Sequence, residues 1–348
     1  MFVVRDVSPE DLHDLQLAAV HLDSVNLPDD RELLARIIDR SRRSFSGQLP
    51  VADRCFVFVV EDVARGRVVG TSMTFAQHGS RRAPHIFFDV IEEERYSETL
   101  DKHFSHRVLR IGYSYKGLTE IGGLVVLPEY RRHPEQLGRL LSYVRFLHIG
   151  LHRALFRDEV VSELMPPLEP DGTSLLWESL GRKFTGLTYQ EADRLSQQNK
   201  EFIRALFPQD PLYDTLLPQN VQDLIGEVGP ETKGVERMLR EIGFSYAQRI
   251  DPFDGGPHFH ARTDDITLVR QLRPARLAAE PPAAGAPLRP VLVARQRATA
   301  PYLLAMRALA PAPQQANDGT LALPADVAHQ LQLVPGDELA YLLLHIVP

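Results

Sequence analysis

An α+β fold, a mixed β-sheet flanked by helices, is the class this sequence predicts, and three observations carry the prediction. The apolar period switches between helical and strand spacing from the first residues onward. A strand–turn–strand hairpin sits in the opening part. A glycine-interrupted apolar run, Leu118 to Leu127, leads through a polar loop into an amphipathic helix.

The elements follow in order. Phe2 to Val4 is a short apolar strand. Ser8-Pro9-Glu10-Asp11 then opens a helix, because free backbone N–H groups and the dipole at a helix start favour a capping hydroxyl, a proline and early acids. Leu12, Leu15, Ala18 and Ala19 share its buried face. A second helix is predicted from Asp29 to Ser44, with Leu33, Leu34, Ile37 and Ile38 on one stripe. Cys55 to Val60 is a β-branched and aromatic strand, turned by Ala64-Arg65-Gly66 into Val68 to Phe75. Within LTEIGGLVVL, Gly122-Gly123 marks a bulge or a close approach to the backbone. The loop Pro128 to Glu135 precedes a helix carrying Leu137, Leu140, Leu141, Val144 and Leu147 at three- and four-residue spacing, and Glu159 to Met165 is the next strand.

Later, LLWESLGRKF from Leu175 and MLREIGF from Met238 share a grammar in which a short helix ends at glycine and an aromatic residue soon starts a strand. They read either as an echo of one unit or as coincidence. A helical insertion fills about 190–228. Of 26 prolines, 11 lie from Pro274 onward, so residues 273–315 read as an Ala/Pro-rich linker. Residues 316–348 read as a small β-rich appendage attached to a main domain of 1–272.

Composition narrows the function. The chain has 348 residues, 44% hydrophobic and 24% charged, which suits a folded protein of one large or two modest domains. A net charge of −7 argues against nucleic acid as partner. Cys55 is the only cysteine, so no internal disulfide or cysteine-based metal site exists. The opening MFVVRDVSPEDL has no apolar run of the signal-peptide kind, and no stretch reaches the roughly 20 apolar residues of a membrane span. A cytoplasmic location is expected.

The order strand, two helices, hairpin, bulged strand, loop, helix, strand resembles the Gcn5-related N-acetyltransferase fold. That resemblance implies that the backbone of Leu124, Val125 and Val126 meets the pantetheine of coenzyme A. It also implies that Arg131, Arg132, Gln136, Leu137, Gly138 and Arg139 surround its pyrophosphate, since a helix start is an anion site. The alternative is a solvated basic turn before an ordinary amphipathic helix. A more specific resemblance covers most of the chain. LPDDRELLARIIDRSRRSFSG, FVFVVED, LPEYRR, LLWESLGRKF, FIRALFPQDPLYDTLLP, VQDLIGEV, RIDPFDGGPHFHART and GTLALPADVAHQLQLVPGDEL occur in the order and spacing of the arginine N-succinyltransferase family. The resemblance implies succinyl transfer from succinyl-CoA, as acyl-donor substrate, to the α-amino group of arginine or a similar small amine. It also implies a homo-oligomer, or a hetero-oligomer with a paralogous subunit.

The chain departs from the family pattern at four places. A histidine regarded as the proton donor stands in a Val-His-Pro string, where this chain reads Val228-Gly229-Pro230. Glu135 and Leu140 replace the residues preferred around the first glycine of the phosphate loop. Leu164-Met165-Pro166-Pro167 replaces a string with arginine and glycine. His85-Ile86-Phe87-Phe88-Asp89 replaces a tyrosine-rich stretch.

Glu163, where the family also has Glu, is the best remaining base. Partial burial is expected to raise its pKa; the alternative is a structural acid or ion pair. His258 and His260 alternate onto one strand face and offer a second catalytic candidate, His260, against the alternative of half-exposed strand residues. Their His-x-His spacing lacks a third ligand, so no metal is expected. Asp254-Gly255-Gly256-Pro257 reads as a tight turn, and Phe87, Phe88 and Trp177 as core. Two functions stay open: an acyl-CoA-dependent N-acyltransferase, on arginine or another amine, and a non-catalytic or regulatory subunit pairing with an active paralogue.

Overall fold

The computed structural model describes residues 1–21, 27–80, 83–115, 117–196, 199–311 and 319–344. The strands in chain order are β1 (Phe2–Asp6), β2 (Cys55–Asp62), β3 (Arg67–His78), β4 (His85–Ser97), β5 (Lys102–Ser114), β6 (Leu118–Val126), β7 (Glu159–Glu163) and β8 (Leu212–Tyr213). They continue as β9 (Ser245–Ile250), β10 (Pro257–Arg262), β11 (Arg273–Leu277), β12 (Leu288–Gln296), β13 (Leu303–Pro311), β14 (Thr320–Leu321) and β15 (Glu338–Leu343). Three helices matter most: α1 (Leu12–Ala19), α2 (Arg31–Phe45) and α3 (Leu137–Leu151). The α+β class holds, and the chain divides into two compact units.

The first unit comprises Met1–Gln77, Thr119–Asp158 and Arg262–Pro348. Its strands run in the order β14-β11-β15-β12-β13-β1-β2-β3-β6. The start of the chain behaves as its residues dictate. Pro9 opens a single 3-10 turn before α1, and the Ser8 amide donates to Asp11 at 2.7 Å. The Asp11 carboxylate also anchors Arg5 at 2.7 Å. Asp30 caps α2, its Oδ1 accepting the amides of Glu32 and Leu33, both at 2.9 Å. The polar face of α2 is partly buried too: Ser41 and Ser44 accept the amides of Val57 and Cys55, each at 3.0 Å.

The C-terminal third corrects the expected linker and appendage. Residues 273–315 are not a spacer: β12 and β13 pair over nine residues, from Leu288 opposite Pro311 to Gln296 opposite Leu303. β13 then pairs with β1, and β15 pairs with β12 and β11. The Ala/Pro richness misleads because Pro274, Pro290 and Pro311 sit inside or at the end of strands, while Leu277, Val291, Val293, Leu304, Met306 and Tyr341 alternate into one shared core. Positions 312–318 and 345–348 lie outside the described residues.

The second unit comprises His78–Leu118 and Glu159–Ala261, with strand order β7-β10-β9-β4-β5-β8. Its spine is the β4–β5 ribbon, thirteen residues a side, from His85 opposite Ser114 to Ser97 opposite Lys102. Trp177 is buried against Phe253, the rings stacked at 5.0 Å, and its Nε1 donates to the Leu187 carbonyl at 3.0 Å. Phe87 and Phe88 are core as expected.

The insertion is broken rather than continuous: short helices cover Tyr189–Ser196, Glu201–Leu206 and Gln219–Leu224, with β8 among them. The internal echo fails as well. Gly243 takes φ +104 before β9, as the pattern requires, but Gly181 lies within helical geometry with φ −57. Gly181 is small for another reason, since a Cβ there would stand 2.3 Å from the Trp177 ring.

In the first unit, His148 of α3 is enclosed by Phe45, Phe56, Phe58 and Phe156. Neither ring nitrogen has a hydrogen-bond partner among the described residues, and burial drives its pKa well below the usual histidine range. Below pH ~6.5 the unfolded chain therefore binds a proton that the folded chain refuses, and stability falls as pH falls. Denaturant melts of wild type should lose stability between about pH 6.5 and 5, and His148→Leu should flatten that slope. An unaltered slope would remove His148 as its source.

Candidate functional site

The first unit supplies the backbone and helix start that the sequence singled out. Gly123 takes φ +57 in the middle of β6, and a Cβ there would meet the Met73 side chain at 2.9 Å, so this irregularity is open to glycine alone. The Leu127 amide donates to Val69 of β3 at 2.9 Å, and the Val125 carbonyl lies against Gly70. By alternation Leu124 and Val126 turn their main-chain groups to the other edge of the strand. Of the three backbone residues expected to meet a ligand, Val125 therefore faces its own sheet.

A residue the sequence reading passed over secures this stretch. Arg145 is 2% exposed, and its Nη1 lies 3.5 Å from the Gly122 carbonyl. Its Nε and Nη2 donate to the carbonyl and hydroxyl of Ser142 at 3.2 and 3.0 Å. Burial pulls its pKa down to about 9, which leaves it charged at neutral pH. An arginine in the midst of the apolar face of RLLSYVRFLHI was the available signal.

The loop before α3 is turned by His133, whose Nδ1 accepts the Glu135 amide at 3.2 Å and whose carbonyl accepts the Gln136 amide at 2.8 Å. Gln136 then caps α3 in the left-handed region, and the space beside Gly138 is open: a Cβ placed there would find Val126 Cγ2 nearest, at 3.9 Å. The first amides of a helix lack intrahelical partners, so Leu137 and Gly138 present the expected anion-binding end, although the Leu137 side chain is buried core. The arginines divide. Arg132 is exposed. Arg131 Nε donates to the Val126 carbonyl at 3.1 Å, and Arg139 Nη1 donates to the Leu344 carbonyl at 3.1 Å. Those two brace main chain, which corrects the expectation that all three face a phosphate.

The second unit holds a cluster of titratable side chains. Glu163 ends β7 with 29% of its side chain exposed, and its Oε1 lies 2.8 Å from His85 Nε2 and 3.6 Å from His258 Nε2. The His85 and His258 rings stack at 5.2 Å, and His78 meets His85 edge-on at 4.6 Å. Desolvation works against the Glu163 charge, but the His258 and His85 imidazoles outweigh it and hold the carboxyl well below its ordinary range. The expected upward shift is thus overturned: sequence could place Glu163 at the end of a strand but could not see two imidazoles against it. Burial pushes His258 down to about 3 and His260 to about 4. Of the pair predicted to share a face, His258 is the one within ion-pair distance of Glu163, so the choice of His260 is displaced by its neighbour. Asp251 Oδ1 accepts the Phe253 amide and Asp254 Oδ1 the Gly256 amide, at 2.6 and 2.7 Å, which makes DGGP the predicted turn with Gly255 at φ +85. The sequence reading missed His78, His85 and Asp251. His78 and His85 stand at the facing ends of β3 and β4, and Asp251 lies far along the chain beyond them.

A family described as the arginine N-succinyltransferase beta subunit matches residues 2–268. This chain belongs to the arginine N-succinyltransferase family. The arginine N-succinyltransferase of Yersinia enterocolitica is 34% identical over 273 residues, 78% of either chain. That of Escherichia coli O6:K15:H31 is 32% identical over 288 residues, 82% of this chain and 83% of the relative. Arginine/ornithine succinyltransferase subunit AI from Pseudomonas aeruginosa aligns with a TM-score of 0.83 at 28% identity, covering 99% of both chains. The Gcn5-related acyltransferase fold and the enzyme class expected from the sequence stand with these matches.

For a member of the arginine N-succinyltransferase family, the two departures at 164–167 and 228–230 prove to be one packing arrangement. The Gly229 amide donates to the Met165 carbonyl at 2.8 Å, and a Cβ on Gly229 would stand 2.6 Å from the Pro166 carbonyl oxygen and 3.0 Å from that of Met165. Thr232 Oγ1 donates to Met165 as well, at 2.9 Å. The backbone of Met165-Pro166 occupies the room a side chain needs at 229. Gly229→His should therefore lower thermal stability by roughly 1–3 kcal/mol, the range of overpacking, without raising turnover. An undiminished melting temperature with a gain in rate would show that the space is there.

Proposed function

We propose that this chain transfers the succinyl group of succinyl-CoA to the α-amino group of arginine, with Glu163 accepting the proton that the amine gives up. Family membership across residues 2–268 supports the reaction class, and relatives at about a third identity carry that activity in their names. The observation that carries the role of Glu163 is its half-exposed carboxylate, held ionised beside His85 and His258.

In this reading the Leu124 main chain lines the pantetheine, and the amides of Leu137 and Gly138 face the pyrophosphate, with Arg132 and Gln136 beside them. The deprotonated amine nitrogen attacks the thioester carbonyl. The C–N bond forms, the C–S bond breaks, coenzyme A leaves as thiolate and is protonated, and the proton shed by nitrogen goes to Glu163. Amide formation from a thioester is downhill, so holding the two reactants together supplies most of what is needed, and a missing acid slows the reaction without forbidding it. We place the reaction in the cytoplasm, a reading supported by the single, buried cysteine; no helix among the described residues is long and apolar enough to cross a membrane.

The closed position at Gly229 favours a second reading, a non-catalytic subunit that pairs with an active paralogue. A thiol-release assay with succinyl-CoA and acetyl-CoA against a panel of amines including L-arginine separates the two. The transferase reading expects release that needs succinyl-CoA and arginine together, and a tenfold or greater drop in Glu163→Gln. No release, with no thermal shift on adding either acyl-CoA, is the result of the second reading. Full activity in Glu163→Gln would take that residue out of the reaction.

A further inference from the structure

His78, His85 and Glu163 each offer one ligand atom, and these atoms lie within 4.8 Å of one another. We propose that they form a binding site for a divalent first-row transition-metal ion of the zinc class. The argument begins with His85. Its side chain is 1% exposed, its Nε2 stands 2.8 Å from Glu163 Oε1, and among the described residues its Nδ1 has no hydrogen-bond partner. A buried polar group without a partner calls for an ion or water that satisfies it. Ligand atoms this close together are spaced as two ligands of one ion are. Around a tetrahedral ion at ~2.0–2.1 Å, donor atoms stand roughly 3.3 Å apart, which a small movement of the half-exposed Glu163 provides.

The chemistry of the set fits. Two imidazoles and one carboxylate are a familiar zinc donor set, and they leave a fourth position for water. Burial favours the neutral form of His85, the form that ligates. The stacked His258 ring, 19° from parallel, fixes the plane of His85 from its other side. Entry is open, because His78 and Glu163 are only partly buried. Imidazole donors select such ions over magnesium and calcium, which prefer oxygen. Glu163, Asp251 and His258 offer a competing seat on the far side of the same carboxylate.

The inference also bears on the transferase reading, since an ion on Glu163 and the amine proton compete for one carboxylate. The test is calorimetric titration of Zn2+ into the EDTA-stripped full chain, with Mg2+ as control and thermal melts to show that each metal-free variant is folded. One equivalent of Zn2+ should bind, tenfold or more weakly in His78→Ala and in Glu163→Gln, with no uptake of Mg2+. Absence of saturable binding would overturn the site, as would undiminished binding in both folded variants. Loss in Asp251→Asn with none in His78→Ala would move the ion to the other seat and overturn this assignment. Activity is read separately: thiol release should fall as Zn2+ fills the site. Binding without inhibition leaves the metal site standing and removes Glu163 from proton transfer, whereas failure to bind leaves the transferase reading as it was.

Discussion

A carboxylate half withdrawn from water keeps its charge only if its surroundings answer it, and the second unit is arranged around that requirement at Glu163. β7 delivers the carboxylate at its end, β10 brings His258, and the start of β4 brings His85. Each imidazole is itself too buried to favour a proton, so neither simply forms a permanent ion pair. What results is a coupled cluster: the carboxylate and the imidazoles titrate together, and a proton arriving at any one of them changes the energy of the others.

Losing a general acid costs typically a hundred- to ten-thousand-fold in rate, while positioning two reactants can be worth effective molarities of about 10⁵ M and more. In the first unit, Gly123 takes a positive φ in β6, the approach at Gly138 is open, and Arg145 lies beside the Gly122 carbonyl. At 229 the missing side chain is no accident of one codon. Pro166 has no N–H and a fixed φ, the Gly229 amide and the Thr232 hydroxyl are bound by the Met165 carbonyl, and a side chain at 229 would displace main chain rather than another side chain. The two segments are packed as one unit.

Local features were legible in the sequence and assembled ones were not. The Ser8-Pro9 start, the hairpin at Ala64-Arg65-Gly66, the irregularity at Gly122-Gly123 and the Asp254 turn each depend on a few adjacent residues, and each was readable. The β4–β5 ribbon was hidden because its distal half, EEERYSETLDKHF, is polar on both faces where it leaves the core, so no alternation marks it. The linker reading failed for the opposite reason. Proline at strand ends and alanine at close-packed positions mimic a spacer, while the leucines and valines that fill the core stand between them. His85 lay in a string noticed only for what it replaced. Its partners are 78 residues away at Glu163 and 173 away at His258, a separation that periodicity cannot bridge.

The proton inventory of the DGGP turn follows from the same carboxylate. Desolvation raises both Asp251 and Asp254, and the neighbouring negative charges raise them further: Glu163 helps bring Asp251 to about 7, and Asp251 helps hold Asp254 well above the ordinary range. Three acids in one buried neighbourhood cannot all ionise, and the one flanked by imidazoles keeps the charge. The backbone amides of Phe253 and Gly256 donate to these two acids, so the turn and Glu163 are electrostatically linked. A cation or an ammonium group that settles at Glu163 relieves the repulsion felt by Asp251, and a neutral Glu163 relieves it too. β10, which carries His258 to the same carboxylate, begins at Pro257 immediately after that turn.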